Sequence, residues 1–177
     1  QAIGNFIKVN TSNKTVLYVG SEKFTSQFLT AVKDNSTNDF IHFYQQIDVL
    51  IIDDIQFFAN KQKTQDIFFH IFNHLHQNGK QLILTSDRAP KDLENMEERL
   101  LSRFKWGLTT DLQTPDYDTR VTILQKKLHA DGIEMNEDVV RFIATNIKTN
   151  VRELEGVLTS ILAQATLNRQ DITLELA

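Results

Sequence analysis

Apolar and polar positions recur along this chain with two different periods, and the change from one to the other outlines the elements. The densest apolar stretch is Val49-Leu50-Ile51-Ile52, followed at once by Asp53-Asp54. A short unbroken run rich in β-branched residues predicts a strand buried on both faces of a parallel sheet. An unpaired charge is costly to bury, so such a strand releases its carboxylates at an exposed carboxyl end. Residues 15–19 and 81–85 read as two more strands, closed by Gly20-Ser21 and by Ser86-Asp87-Arg88. Between the strands the period becomes helical. Phe24, Phe28, Leu29 and Val32 share one face of a helix capped by Ser21. Residues 40–44 form a short helical segment before the central strand. Ile67, Phe68, Ile71, Phe72 and Leu75 make the stripe of a helix capped by Thr64 and ended by Asn78-Gly79 in a left-handed turn. Residues 1–7 read as part of an amphipathic helix. The alternation predicts an α/β fold, a doubly wound parallel sheet with helices on both faces.

After Pro90 the pattern changes. Residues 93–104 hold a helical turn or two, with Arg99 and Arg103 at i, i+4 on one face. Residues 107–110 read as a short final strand. Thr114-Pro115-Asp116 is a cap-plus-proline helix start. Helices are then expected at about 115–130, 136–146 and 150–167, with one more after Thr173. Asn150-Val151-Arg152-Glu153 has the form of a capping box ahead of a stripe of Leu154, Leu158, Ile161, Leu162 and Ala165. The expected organisation is an α/β subdomain over 1–112 and a small all-helical subdomain over 113–177.

Composition narrows the class. The 177 residues are 41% hydrophobic and 24% charged, ordinary for a globular domain, and contain no apolar run long enough to span a membrane. The absence of cysteine excludes disulfides and thiolate metal sites and fits a cytoplasmic protein. With a net charge of −4, contact with nucleic acid has to come from local basic patches.

Candidate chemistry gathers at the carboxyl edge of the sheet, where open α/β sheets bind ligands. A buried strand ending in two acids is the Walker B pattern of P-loop nucleotidases. In that reading Asp53 helps hold Mg²⁺ and Asp54 polarises the water that attacks a γ-phosphate; the alternative is an acidic turn after a core strand. Asp87 either senses phosphate beside that edge or closes an Asx-type turn. Arg99 and Arg103 are either solvated helix charges or reach a nucleotide on a neighbouring subunit. Arg152 lies in a first helical turn, where the helix dipole disfavours a cation and a phosphate partner offsets the cost. Lys61 and Lys63, close to Phe57 and Phe58, suit either a solvated loop or single-stranded nucleic acid. His70 and His74 have metal spacing but no third ligand in register, and no nucleophile motif occurs.

The ordered set of motifs resembles the central AAA+ domain of the DnaA family of bacterial chromosomal replication initiators. The resemblance rests on Tyr18-Val19-Gly20-Ser21-Glu22-Lys23-Phe24, Asp48 through Lys61, Thr64-Gln65 with Phe68-Phe69-His70 and Phe72-Asn73, and Leu84-Thr85-Ser86-Asp87-Arg88. It continues through Arg99-Leu100-Leu101-Ser102-Arg103-Phe104, Trp106-Gly107-Leu108 and Asn150-Val151-Arg152-Glu153-Leu154-Glu155-Gly156. It implies the Walker B pair at Asp53 and Asp54, sensor 1 at Asp87, the arginine finger at Arg103 with Arg99 at the subunit contact, and sensor 2 at Arg152. It implies that Leu29, Lys61 and Lys63 hold single-stranded DNA; position 63 is often Arg in the family, and Lys keeps the charge without the planar fork. It further implies ATP or ADP and Mg²⁺ as ligands, ATP hydrolysis, head-to-tail self-assembly on origin DNA, and the replicative helicase or its loader as partners. The 113–177 subdomain corresponds to the family's helical lid.

The family's Gly-rich phosphate loop, with the pattern G-x-x-x-x-G-K-[ST], does not occur in these residues. It is expected just before Gln1, with the first core strand, and a double-strand-reading helix-turn-helix domain is expected after Ala177. The 177 residues taken alone are therefore expected to bind nucleotide poorly. Two other functions remain open: a shorter relative that stimulates hydrolysis by the initiator, and a non-catalytic interaction fragment. A helicase-loader ATPase is a further relative, disfavoured by the match from Phe57 to Lys61 and at Trp106.

Overall fold

The computed structural model describes residues 2–11, 13–168 and 170–176. The chain divides into two compact units, Gln1–Thr109 and Thr110–Ala177.

The first unit is built on a parallel sheet of three strands in the order β1 (Val16–Gly20), β2 (Val49–Asp53), β3 (Gln81–Leu84). The apolar run of β2 forms the centre, with Val49, Leu50, Ile51 and Ile52 all buried. Alternation of side chains sends Leu50 and Ile52 into a core shared with Phe24, Phe28, Phe68, Ile71 and Leu75. Those residues come from α2 (Ser21–Lys33) and α4 (Gln62–Gln77), with α3 (Thr37–Gln45) adding Phe40 and Tyr44. On the other face α1 (Ala2–Asn10) comes so close that a methyl group on Gly4 would stand 2.9 Å from Ile51 Cδ1. The five stripe positions of α4 are all buried, and Gly79 takes φ +65° just beyond it. A short α5 (Glu98–Phe104) follows and buries Leu100 and Phe104.

Asp48 clamps the amino ends of the three strands. It accepts the Thr15 N–H at 2.8 Å ahead of β1 and pairs with the Lys80 ammonium ahead of β3. Both partners hold its carboxyl below the usual carboxylate range, the Lys80 hydrogen bond most strongly.

The second unit packs α6 (Tyr117–Ala130), α7 (Glu137–Asn146) and α8 (Val151–Asn168) around Leu124, Val140, Ile143, Leu154 and Leu158. Arg120 is buried here and donates to the carbonyls of Ala144 at 2.8 Å and Pro115 at 2.7 Å.

Several local expectations are corrected. Residues 107–110 form no strand; Leu108 is 96% exposed, so the segment has neither a paired ladder nor buried area to offset its ordering. The segment after Thr173 makes a turn, closed by the Leu176 N–H to the Thr173 carbonyl, because one such bond does not offset helix nucleation. Ser21 is the first residue of α2 rather than its cap, since its hydroxyl is spent on the Asp54 carbonyl. Leu29 and Val32 lie outside the stripe of α2, and Thr25 and Ala31 take the buried positions. Thr64 is buried inside α4, which begins at Gln62. The cap of α6 is Asp116, which accepts the Thr119 N–H at 2.8 Å. At α8 half of the capping box forms: Asn150 accepts the Glu153 N–H at 2.8 Å, while the Glu153 carboxylate takes the Thr149 hydroxyl.

Candidate nucleotide site and arginine face

Register places the acidic pair. Asp53 ends β2 opposite Gly20 of β1, and the chain leaves the sheet at Asp54. Asp53 is held from both neighbouring strands: Tyr18 of β1 donates its phenol to Oδ2, and Thr85, just past β3, donates its hydroxyl to Oδ1. Asp54 takes a left-handed conformation, φ 57° and ψ 54°, which for a residue other than glycine costs on the order of 1 kcal/mol. Three contacts fix it there. Its N–H donates to the Thr85 hydroxyl at 3.0 Å, its carbonyl accepts from Ser21 at 2.7 Å, and its Oδ1 accepts the Gln56 amide at 3.2 Å. The turn carries the exposed Asp54 carboxylate away from the sheet, next to the half-buried one of Asp53.

Asp87 is three residues beyond β3. Arg88 forks onto it with two bonds of 3.0 Å, which pulls the Asp87 carboxyl down and raises the Arg88 guanidinium. Beside them is a cavity of about 280 Å³ lined by Gln56, Phe57, Asp87, Arg88, Leu93 and Glu94. Gln56 Oε1 is buried and has no hydrogen-bond partner among the described residues.

The edge suits a magnesium–nucleotide ligand. Among the described residues no three His, Asp or Glu side chains gather around a common point. Mg²⁺ is commonly held through one or two carboxylates plus substrate phosphates and water, and two adjacent aspartates at the exit of a parallel strand, one half-buried and one exposed, fit that demand.

Arg99 and Arg103 share a face of α5 and both lie over Phe69, at 4.6 and 5.9 Å from its centroid. Arg99 is committed to Asp66 and Glu97. Arg103 makes no ion pair among the described residues and also lies 4.9 Å from the Trp106 ring. Lys63 is exposed in the first turn of α4, Lys61 is its half-buried cap position, and Leu29 is exposed on α2. Arg152 is exposed in the first turn of α8.

A sequence model of the bacterial DnaA ATPase domain matches residues 1–111. The chromosomal replication initiator protein DnaA of Flavobacterium psychrophilum is 58% identical over 176 residues, 99% of this chain. The chain belongs to the bacterial DnaA family. It spans 37% of the length of that DnaA relative. Its fold is that of the crystal structure of domain III of Thermotoga maritima DnaA, with TM-score 0.94 and 37% identity over 99% of this chain and 74% of that one. A replication initiator DnaA bound to AMPPCP and single-stranded DNA matches with TM-score 0.79 and 37% identity, over 90% of this chain and 49% of that one. The three-stranded parallel sheet with its flanking helices is thus the AAA+ sheet of the DnaA domain.

Sequence reasoning missed the residues that hold the DnaA-type acidic pair in place. Tyr18 and Gln56 stand in the sequence only as members of longer motifs, with no role of their own, and Ser21 reads as a cap where the structure spends its hydroxyl on Asp54. Thr85 is the exception: a strand ending in Thr85-Ser86-Asp87 can place polar groups beside the acidic edge if it neighbours β2, and the structure brings the Thr85 hydroxyl there. His76 and the contact between Trp106 and Arg103 were equally silent, since both depend on how α4 and α5 meet.

Proposed function

We propose that the chain is the working core of an ATP-regulated initiator of chromosomal replication, an AAA+ module that oligomerises at the origin and engages DNA for duplex opening. The observation that carries this reading is the latched carboxylate pair at the sheet edge, Asp53 gripped by Tyr18 and Thr85 and Asp54 turned outward on three contacts. A structural acidic turn has no need of a strained residue fixed by two neighbouring elements. The AMPPCP- and DNA-bound relative supports the same reading.

In this reading unit 1 is the nucleotide-binding subdomain and unit 2 the lid. Asp53 would hold Mg²⁺, directly or through water, and the ion would supply charge neutralisation at the phosphates. Asp54 orients the water that adds to the γ-phosphorus while the bond to ADP breaks. Asp87 senses the γ-phosphate, which requires it to loosen its fork with Arg88. Arg152 contacts nucleotide from the lid. Arg103 of one subunit reaches the nucleotide of the next, and Arg99 braces that contact. The phosphate cradle comes from a Gly-rich loop preceding these residues. ATP in place of ADP shifts the module toward its assembling state, and hydrolysis switches it off. Leu29, Lys61 and Lys63 hold single-stranded DNA in the cytoplasm, where the opened origin passes to the replicative helicase or its loader.

Titration calorimetry with ATP and ADP on this chain, and on one extended upstream through the phosphate loop, tests the assignment. Binding by the extended chain alone, weakened by Asp53→Asn in a magnesium-dependent way, supports it. Equal binding by both chains places phosphate recognition elsewhere and overturns it. Binding by neither makes the chain a non-catalytic interaction module.

A further inference from the structure

One turn of α5 separates two arginines with opposite surroundings. The Arg99 guanidinium spends its N–H groups on Asp66 and Glu97. The Arg103 guanidinium has neither an ion pair nor a hydrogen bond to another described residue, yet it is not loose. Its guanidinium lies 4.9 Å from the Trp106 ring and 5.9 Å from that of Phe69. Trp106 stacks on His76, with centroids 5.1 Å apart and planes 19° from parallel. His76 in turn lies 6.2 Å from Phe72 and 9° from parallel. Phe72 is a core residue, edge-on to Phe68 and Phe104 at 6.2 and 6.3 Å. A pile of planar groups therefore runs from the core, across the end of α4, to a guanidinium at the surface.

The chemistry of this arrangement is specific. A carboxylate partner would take the in-plane N–H donors of an arginine. An aromatic face takes the face of the cation and leaves all five donors uncommitted. The side chain then loses rotamer freedom in advance without losing the groups that bind an anion. Trp106 is 66% exposed, so core packing does not explain its position.

We propose that Trp106 and His76 are positioning residues for Arg103, holding its guanidinium preoriented for the phosphates of a nucleotide on a second copy of this chain. This rests on the role given to Arg103 under the proposed function. Trp106 touches Arg103 directly, and His76 acts through Trp106.

The test is ATP hydrolysis by the full-length protein under assembling conditions, read as kcat and KM. Trp106→Ala should lower kcat by roughly tenfold to a hundredfold, the scale of a misplaced reacting group, with KM for ATP within about twofold. Trp106→Phe keeps a ring face and should restore most of the loss. His76→Ala should fall between, with His76→Phe close to wild type. Added to Arg103→Ala, Trp106→Ala should cost nothing further, because both act through one group. Trp106 is the only tryptophan in these 177 residues, so its emission in this chain reports the stack and should change in His76→Ala. Full additivity of the two losses, a loss in KM instead of kcat, failure of Trp106→Phe to rescue, or unchanged emission in His76→Ala each overturns the inference. If Arg103→Ala lowers kcat and Trp106→Ala does not, only this inference falls. If Arg103→Ala leaves kcat unchanged, the role of Arg103 falls with it.

Discussion

The Thr85 hydroxyl donates to the Asp53 carboxylate and accepts the Asp54 backbone N–H at 3.0 Å, so one side chain past the end of β3 holds both acidic residues. The main chain repeats the link: the Thr85 N–H donates to the Ile52 carbonyl at 3.0 Å, and the Ile55 N–H donates to the Thr85 carbonyl at 2.9 Å. Because parallel pairing fixes which residue leaves β3 beside the end of β2, the register of the sheet positions the acidic pair.

Replacing Thr85 by valine keeps the shape and removes both hydroxyl bonds. The Asp54 N–H loses its partner, and stability should fall by about 1 kcal/mol, while Thr85→Ser should stay within about 0.5 kcal/mol of wild type. Urea denaturation followed by circular dichroism reads both. A valine variant as stable as wild type would show that the hydroxyl does not bridge the two residues.

The Asp48 clamp gives a pH dependence with a defined sign. Its folded pKa lies below the ordinary 3.8, chiefly through the Lys80 hydrogen bond and then the Thr15 N–H. Above 3.8 both the folded and the unfolded carboxyl are ionised, and the stabilisation is fully present. As pH falls further the unfolded chain takes up the proton first, and the stabilisation drains away until the folded pKa is passed. Wild type should therefore exceed Asp48→Asn in urea midpoint at pH 6, and the gap should narrow toward pH 2.5. A gap that stays constant across that range would mean that the carboxylate charge plays no part.

Much of this fold is legible because its signals are local. The apolar run of β2, the five-residue stripe of α4 and the Gly79 stop each follow from spacing and backbone preference. Strand pairing decided what was missed. Residues 107–110 have strand-like composition but pair with no strand among the described residues, and propensity cannot supply a partner. Caps drifted by one to three residues because Ser21 and Thr64 are drawn into tertiary contacts that no local pattern encodes. Arg120 is the extreme case, a cation that a surface-charge rule places in solvent and that the helical second unit buries against two carbonyls. At the acidic edge the pair itself was plain, whereas Tyr18 and Gln56, which orient it, became visible only when the strands were side by side.

Arg99 and Arg103 should separate in mutagenesis. Arg99 links α5 to Asp66 of α4, so Arg99→Ala should lower the melting temperature of this chain measurably. Arg103 carries no such link, so Arg103→Ala should leave melting close to wild type. In the full-length protein the order should reverse for catalysis, with Arg103→Ala costing far more hydrolysis than Arg99→Ala. Equal effects on both readouts would mean that the two side chains do the same work.

Single-stranded DNA contact can be divided into charge and apolar parts by salt. Each phosphate neutralised on a single strand adds about 0.7 to the slope of log affinity against log salt, because a condensed counterion is released. Lys63 is exposed at the start of α4, where the helix dipole disfavours a cation and no carboxylate partner is found among the described residues. Lys63→Ala in the full-length protein with ATP should weaken binding to a labelled oligothymidine and make that slope shallower by about 0.7. Leu29 is 55% exposed and uncharged, so Leu29→Ala should weaken binding without changing the slope. Lys126, exposed on α6, is the control, and Lys126→Ala should change neither. If Lys63→Ala leaves both affinity and slope intact while Lys126→Ala changes them, the strand runs over a different surface and the assignment of α2 and α4 to DNA fails.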